Sequence, residues 1–195
     1  MRNVDLEKLE KRKDVIDMMV SMHSELSSMY RKHIIILDVL IVILSIILLT
    51  FVFGDQYLLN NNIINEIILK LILGSSTVFL TFLSLLSYIV NWRGKRACHD
   101  QAFIVLIDLK NEWRNFLFNK ESINYDNATK LQEKTDLILK QCISIDDKLF
   151  NKLKIKHYTK VELSNAISDN PNLPLFLHKI NLLKKAIIKN SKGKV

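Results

Sequence analysis

Seven polar or small residues recur at regular intervals through one otherwise apolar stretch of this chain. Lys70, Gly74, Thr77, Thr81, Ser84, Tyr88 and Asn91 step 4-3-4-3-4-3. On a helix that spacing sets all seven along one stripe, while Leu73, Val78, Phe79, Phe82, Leu83 and Leu86 occupy the other faces. Such a stripe has two uses. Small and hydroxylated residues allow close helix contact and interhelical hydrogen bonds in lipid. Repeated in several copies, the same hydroxyls line a water-filled path and hydrate passing solutes without trapping them. No charged ring lies at the middle of the stripe, which argues against a highly selective channel.

Asp38 is the other group with chemical interest. It interrupts a second apolar run, four residues inside its start. A carboxylate there is costly unless paired or hydrated. Arg93 and Arg96 are expected at the same depth on the other helix, and Arg31 lies seven residues back on the same face. The pairing reads either as a structural tie between helices or as a gate whose partner changes on activation. Catalytic and metal chemistry find little support. His23, His33, His157 and His178 have no metal-ligand spacing, and each reads as a boundary or surface residue. His99 and Asp100 are adjacent, so their side chains diverge on a helix. GxSxG, GxGxxG, P-loop and HExxH patterns are absent. The expectation is a protein that is not an enzyme and uses no cofactor. Cys98 and Cys142 form no CxxC and read as reduced, small, buried apolar residues.

The elements that must position these groups are helices. Ile34–Phe53 and Leu71–Val90 are each 20 residues long; each spans about 30 Å as a helix, the thickness of a bilayer's hydrocarbon core. Scarce Gly (4) and Pro (2) argue for an almost wholly helical chain. The sequence predicts an all-α protein, a two-transmembrane hairpin continuous with a cytoplasmic helical bundle. Its parts are an N-terminal helix over 1–33, a first span over 34–53, and a short outer loop over 54–66. A second span over 67–90 and a helical region over 91–168 follow. A basic amphipathic helix over 169–195 comes after the break at Asp169–Pro174. The thirty mixed-charge residues before the first run do not resemble a secretory signal.

Leu9, Ile16, Met19, Leu26 and Tyr30 fall on heptad-like spacings, with Arg12 and His23 as polar exceptions. After the second span a helix is expected over 97–118, with Ala102, Leu106, Leu109, Trp113 and Phe116 as its packing seam. A turn is expected over 122–127. A long helix from Ala128 to about His157 follows, carrying Leu131, Thr135, Ile138, Cys142, Ile145 and Leu149 in one row, then a short piece over 159–165. In the last helix Phe176, Ile180, Leu183 and Ile187 form an apolar stripe among Lys179, Lys184, Lys185 and Lys189. It suits either a membrane surface or the flank of the bundle.

Charge orients the chain. Arg31 and Lys32 precede the first run, Arg93, Lys95 and Arg96 follow the second, and residues 54–66 hold only Asp55 and Glu66. The positive-inside rule places both termini in the cytoplasm. From residue 91 onward there are 20 Lys and Arg against 11 Asp and Glu. That excess favours anionic headgroups over nucleic acid, since no groove-reading motif accompanies it.

The order of these features resembles the SLATT domain, a two-transmembrane effector module associated with SMODS and SLOG proteins. The residues that carry the resemblance are MYRKHIIILDVLIVILSIILLTFVF, then GSSTVFLTFLSLLSYIVNWRGKRACHDQAF, then IVLIDLKNEWRNFL with Trp113; it covers about residues 1–157. The resemblance implies a bacterial inner-membrane effector of antiviral defence. Such an effector would be homo-oligomeric and triggered by a nucleotide-generating enzyme or sensor encoded nearby, and would kill the infected cell by permeabilising its membrane. A non-conducting scaffold that recruits a soluble partner is the alternative, and a holin-like toxin a third.

Overall fold

In the computed structural model, residues 6–60, 65–119 and 124–192 are described, with side chains to Gly54 in the first stretch and to Lys184 in the last. Every regular element among them is a helix: α1 Leu6–Asn60, α2 Glu66–Val90, α3 Trp92–Phe118, α4 Tyr125–Gln141, α5 Asp147–Asp169 and α6 Leu175–Lys192. α1 and α2 are long and apolar enough to cross a membrane.

Local chemistry explains the helix ends. α1 meets no Pro and no Gly before Gly54, so nothing stops it. It runs through both the charged N-terminal segment and the first apolar run. It also continues to Asn60, seven residues past the expected end of the span, so the outer connection is shorter than 54–66. Of the Asn60–Asn62 turn signal, residues 61–62 lie outside the described residues. Asn65 caps α2, its side-chain oxygen accepting the Ile67 N–H at 3.0 Å. Asn124 caps α4 by accepting the Asn127 N–H at 2.8 Å; of the turn expected over 122–127, residues 122–123 lie outside the described residues and 125–127 already belong to α4.

Further helix boundaries differ from the sequence expectation. α3 starts at Trp92 rather than 97, because Asn91 restarts the chain. Asn91 adopts φ 48°, ψ 47°, the left-handed region that Asn tolerates better than most residues. Its side chain then accepts the Gly94 N–H at 3.1 Å, so one residue ends α2 and caps α3. The long helix expected over 128–157 is instead two. α4 ends at Gln141, Cys142 caps it through its own N–H to the Ile138 carbonyl at 3.0 Å, and α5 begins at Asp147. Ile143, Ser144 and Ile145 are weak helix formers, and Asp146-Asp147 is a helix-start signal. The piece expected over 159–165 belongs to α5. The Asp169–Pro174 break falls where α5 ends and α6 begins.

The chain divides into two units, and α1 and α3 contribute to both. The first unit comprises the chain up to Met22 together with Val105 onward. Its core is Leu9, Ile16, Leu106, Leu109, Trp113 and Ala128, with Met19, Val20, Phe116, Leu131 and Ile138 packed against it. Trp113 is fully buried, and its Nε1–H donates to the Thr135 hydroxyl at 2.8 Å. Ion pairs join all three helices of this core. Arg12 of α1 meets Asp136 of α4 at 2.7 Å, Lys110 of α3 meets Asp17 of α1 at 2.9 Å, and Lys134 of α4 meets Glu112 of α3.

The second unit is His23–Ile104. On α1 the row withdrawn from solvent is Ile34, Leu37, Ile41, Leu44, Leu48 and Phe51; on α2 it is Leu69, Leu73, Ser76, Leu80, Leu83, Ser87 and Val90. Both rows keep heptad spacing. The remaining faces are large, apolar and exposed, among them Ile36, Ile46, Phe53, Ile67, Leu71, Val78 and Ile89. Only 6 % of the most apolar window of α1, and 11 % of that which includes α2, is buried.

Candidate functional site

The polar stripe of α2 lies one residue round from the row that packs. Lys70, Gly74, Thr77, Thr81, Ser84, Tyr88 and Asn91 are all exposed, Tyr88 by 85 %. The Thr77 hydroxyl donates to the Leu73 carbonyl at 2.8 Å and that of Thr81 to the Thr77 carbonyl at 2.9 Å. Their protons are thereby spent on their own helix, while the oxygens keep lone pairs for an outside donor. Lys70 pairs with Glu66 one turn away at 2.6 Å. No Cβ-sized obstacle stands at Gly74, whose outer side is open.

Asp38 finds one of its expected partners. The Arg93 guanidinium donates to both carboxylate oxygens, at 3.0 and 2.9 Å. This ties α1 to the start of α3 just past the end of α2. Arg96 turns instead to Asp100, 3.3 Å away on its own helix, and Arg31 is exposed. The Asp38–Arg93 pair and the end of the stripe share one groove of about 650 Å³, lined by Asp38, Ile41, Ser84, Ser87, Tyr88, Ile89, Asn91 and Arg93. Two features read separately in the sequence thus meet. The groove offers a carboxylate, a guanidinium, hydroxyls and an amide, which suits it to hold water or a polar solute at the end of an apolar helix pair.

A second polar cluster lies further along α1 and α3. His23 and His99 are buried, and their Nδ1 atoms are 2.9 Å apart. Tyr30 stacks on the His99 ring at a centroid distance of 5.7 Å. Ser27 hydrogen-bonds Asp100, which also meets Arg96. A contact between two Nδ1 atoms requires one ring to donate and the other to accept, so both rings cannot be imidazolium in this geometry. Burial, and then the neighbouring His99, push the His23 imidazole down from 6.5 to about 4. Burial also lowers His99, against the opposing pull of the Asp100 carboxylate.

No family model, curated protein or solved structure matches this chain.

The histidines correct the sequence expectation. His23 and His99 are interior rather than surface residues, and so is His178, whose Nε2 is 3.1 Å from the Asn170 carbonyl. The signal was periodicity. His23 sits in the heptad row Leu9, Ile16, Met19, Leu26, Tyr30, and His99 lies three residues before Ala102 in the seam of α3. Of that seam Ala102, Leu106, Leu109 and Trp113 are buried and Phe116 is half-buried. Of the two cysteines expected to be buried, Cys142 is half-buried and Cys98 is exposed; burial raises the Cys142 thiol, which lowers its reactivity. Among the described residues no group of three His, Cys, Asp or Glu side chains is placed to hold a metal ion.

Proposed function

We propose that this protein is a bacterial inner-membrane effector of the SLATT type. In this reading α1 and α2 form an antiparallel transmembrane hairpin, both termini lie in the cytoplasm, and the hairpin continues into a cytoplasmic helical bundle. Copies associate along the exposed stripe of α2, and a trigger delivered by a nucleotide signal or sensor partner opens a path through the membrane. A trigger can do this only by binding the open assembly more tightly than the closed one.

One observation carries the reading. Two helices of bilayer length leave their apolar faces uncovered, and one of them also leaves uncovered a polar stripe that ends in an ionic groove. Water is a poor solvent for the first and lipid a poor solvent for the second. A bilayer with further copies of the chain satisfies both. The defence role rests on the resemblance alone.

Induced expression with and without the neighbouring genes, read by a membrane-potential dye, tests the proposal. Depolarisation should follow the trigger and be lost in a Thr77→Ala, Thr81→Ala, Ser84→Ala triple variant. Steady potential under every condition would reject a conducting role. The committed hydroxyl protons of Thr77 and Thr81 favour a second reading, in which the stripe is only a packing surface and the protein a scaffold for a soluble partner. The triple variant should then keep its partner and its behaviour.

A further inference from the structure

α6 has no acidic residue and two apolar faces among its described side chains. One is used: His178 is buried and Leu177 and Leu182 are half-buried, on the side where His178 reaches the Asn170 carbonyl at the end of α5. The other stays open, with Phe176 61 %, Leu183 65 % and Ile180 42 % exposed. At 3.6 residues per turn these three fall within about 60° of one another round the axis, and Lys179 and Lys184 stand about 40° beyond either edge. Both lysines are exposed. An apolar centre flanked by ammonium groups is the arrangement that lets lysine stems lie along buried apolar surface while their heads reach phosphates.

Other covers fit less well. Nucleic acid would neutralise the lysines but leave Phe176, Ile180 and Leu183 in water. A basic protein would be repelled, and an uncharged apolar cleft would strip the lysines of solvent without pairing them. We propose that this face of α6 docks on an anionic lipid surface, with Phe176, Ile180 and Leu183 entering the acyl boundary and Lys179 and Lys184 on headgroup phosphates. The inference rests on the membrane reading above only in that such a surface would then be close at hand.

The test uses the full chain in lipid nanodiscs of phosphatidylcholine alone or with phosphatidylglycerol. An environment-sensitive fluorophore is attached at Leu183→Cys in a Cys98→Ser, Cys142→Ala background. In the anionic discs its emission should shift to the blue and be quenched by lipid-borne nitroxides several-fold more than in neutral discs. Phe176→Glu should reverse both changes. Hydrogen exchange of the α6 amides in unlabelled wild-type protein should slow in the anionic discs, which guards against a labelled variant that folds poorly. A label exposed to water in both discs, equal quenching in both, or a blue shift without lipid quenching (a protein cover) would each overturn the proposal.

Flotation of detergent-free protein with phosphatidylglycerol vesicles separates this inference from the membrane reading. Binding weakened by about 0.5 M salt, together with release of the cellular protein by alkaline carbonate, would keep the α6 surface and remove the spans. Resistance to carbonate with an unprotected label would do the reverse. Replacing one apolar residue of the face by Glu should lower vesicle partitioning about tenfold.

Discussion

The two units of this protein turn opposite kinds of residue outward with the same helical spacing. In the unit that holds Trp113, the apolar residues Leu9, Ile16, Leu106 and Leu109 are inside and charged pairs such as Arg12–Asp136 are outside. In the unit that runs from His23 to Ile104, large apolar residues are outside, and imidazoles and a serine–carboxylate contact sit within. Heptad spacing organises the packed rows of both. What differs is the exterior, charged in the first unit and largely apolar in the second. Stability should therefore come from apolar burial in the first unit and from helix contact and satisfied polar groups in the second.

Breaking the first unit at its centre should produce the largest effect. Trp113→Ala removes the largest buried side chain and leaves the Thr135 hydroxyl without its indole donor. The expected loss is about 3–5 kcal/mol, read by denaturant unfolding of this unit in detergent, while any carbonate resistance of α1 and α2 should persist. Simultaneous loss of both would show that the units are not energetically separate.

Acid should act on the second unit. His23 titrates near 4 in the folded protein against 6.5 when free. Between those values the unfolded chain binds the extra proton, so stability is complete above pH 6.5 and falls as the pH drops toward 4. The slope is at most about 1.4 kcal/mol per pH unit for one such group. Thermal melts across this range should show it, and His23→Leu should flatten it. A His23→Leu melt as steep with pH as wild type would assign the effect to another group.

Asp38→Asn should have a smaller effect. It removes the negative partner of a pair whose guanidinium is largely exposed, for a loss of about 1 kcal/mol in an aqueous setting. If Asp38 gates the groove, dye leak from liposomes should change while membrane insertion does not; unchanged leak leaves a structural tie. Arg12→Ala should have the least effect. Its pair with Asp136 is about half-exposed at both ends, and the expected loss is below about 1 kcal/mol in the same unfolding assay.

Much of this architecture was legible because period and length are written directly in the side chains. The two apolar runs, the Trp113 seam and the stripe of α2 all lie on helices. The neighbour of each row was not legible. The stripe from Lys70 to Asn91 and the adjacent row from Leu69 to Val90 both satisfy a seven-residue repeat, and spacing alone cannot say which one packs. His23 reads as a boundary or surface residue when polarity is weighed above position, although it sits on a buried row. The break after Gln141 was hidden because Leu131 through Leu149 keep their spacing straight across it, while weak helix propensity at Ile143–Ile145 and the acidic pair Asp146-Asp147 decide the outcome.

Asn91 divides the second long helical stretch of the chain, while the first is undivided. α1 passes through its whole length as an unbroken rod, whereas α2 and α3 are joined by a single left-handed residue held by the Gly94 amide. A methyl group at position 94 would stand 2.6–2.9 Å from the Asn91 side chain, so any larger residue there displaces the amide that caps α3. The helical phase set by α2 therefore ends at Asn91, and α3 begins a new one.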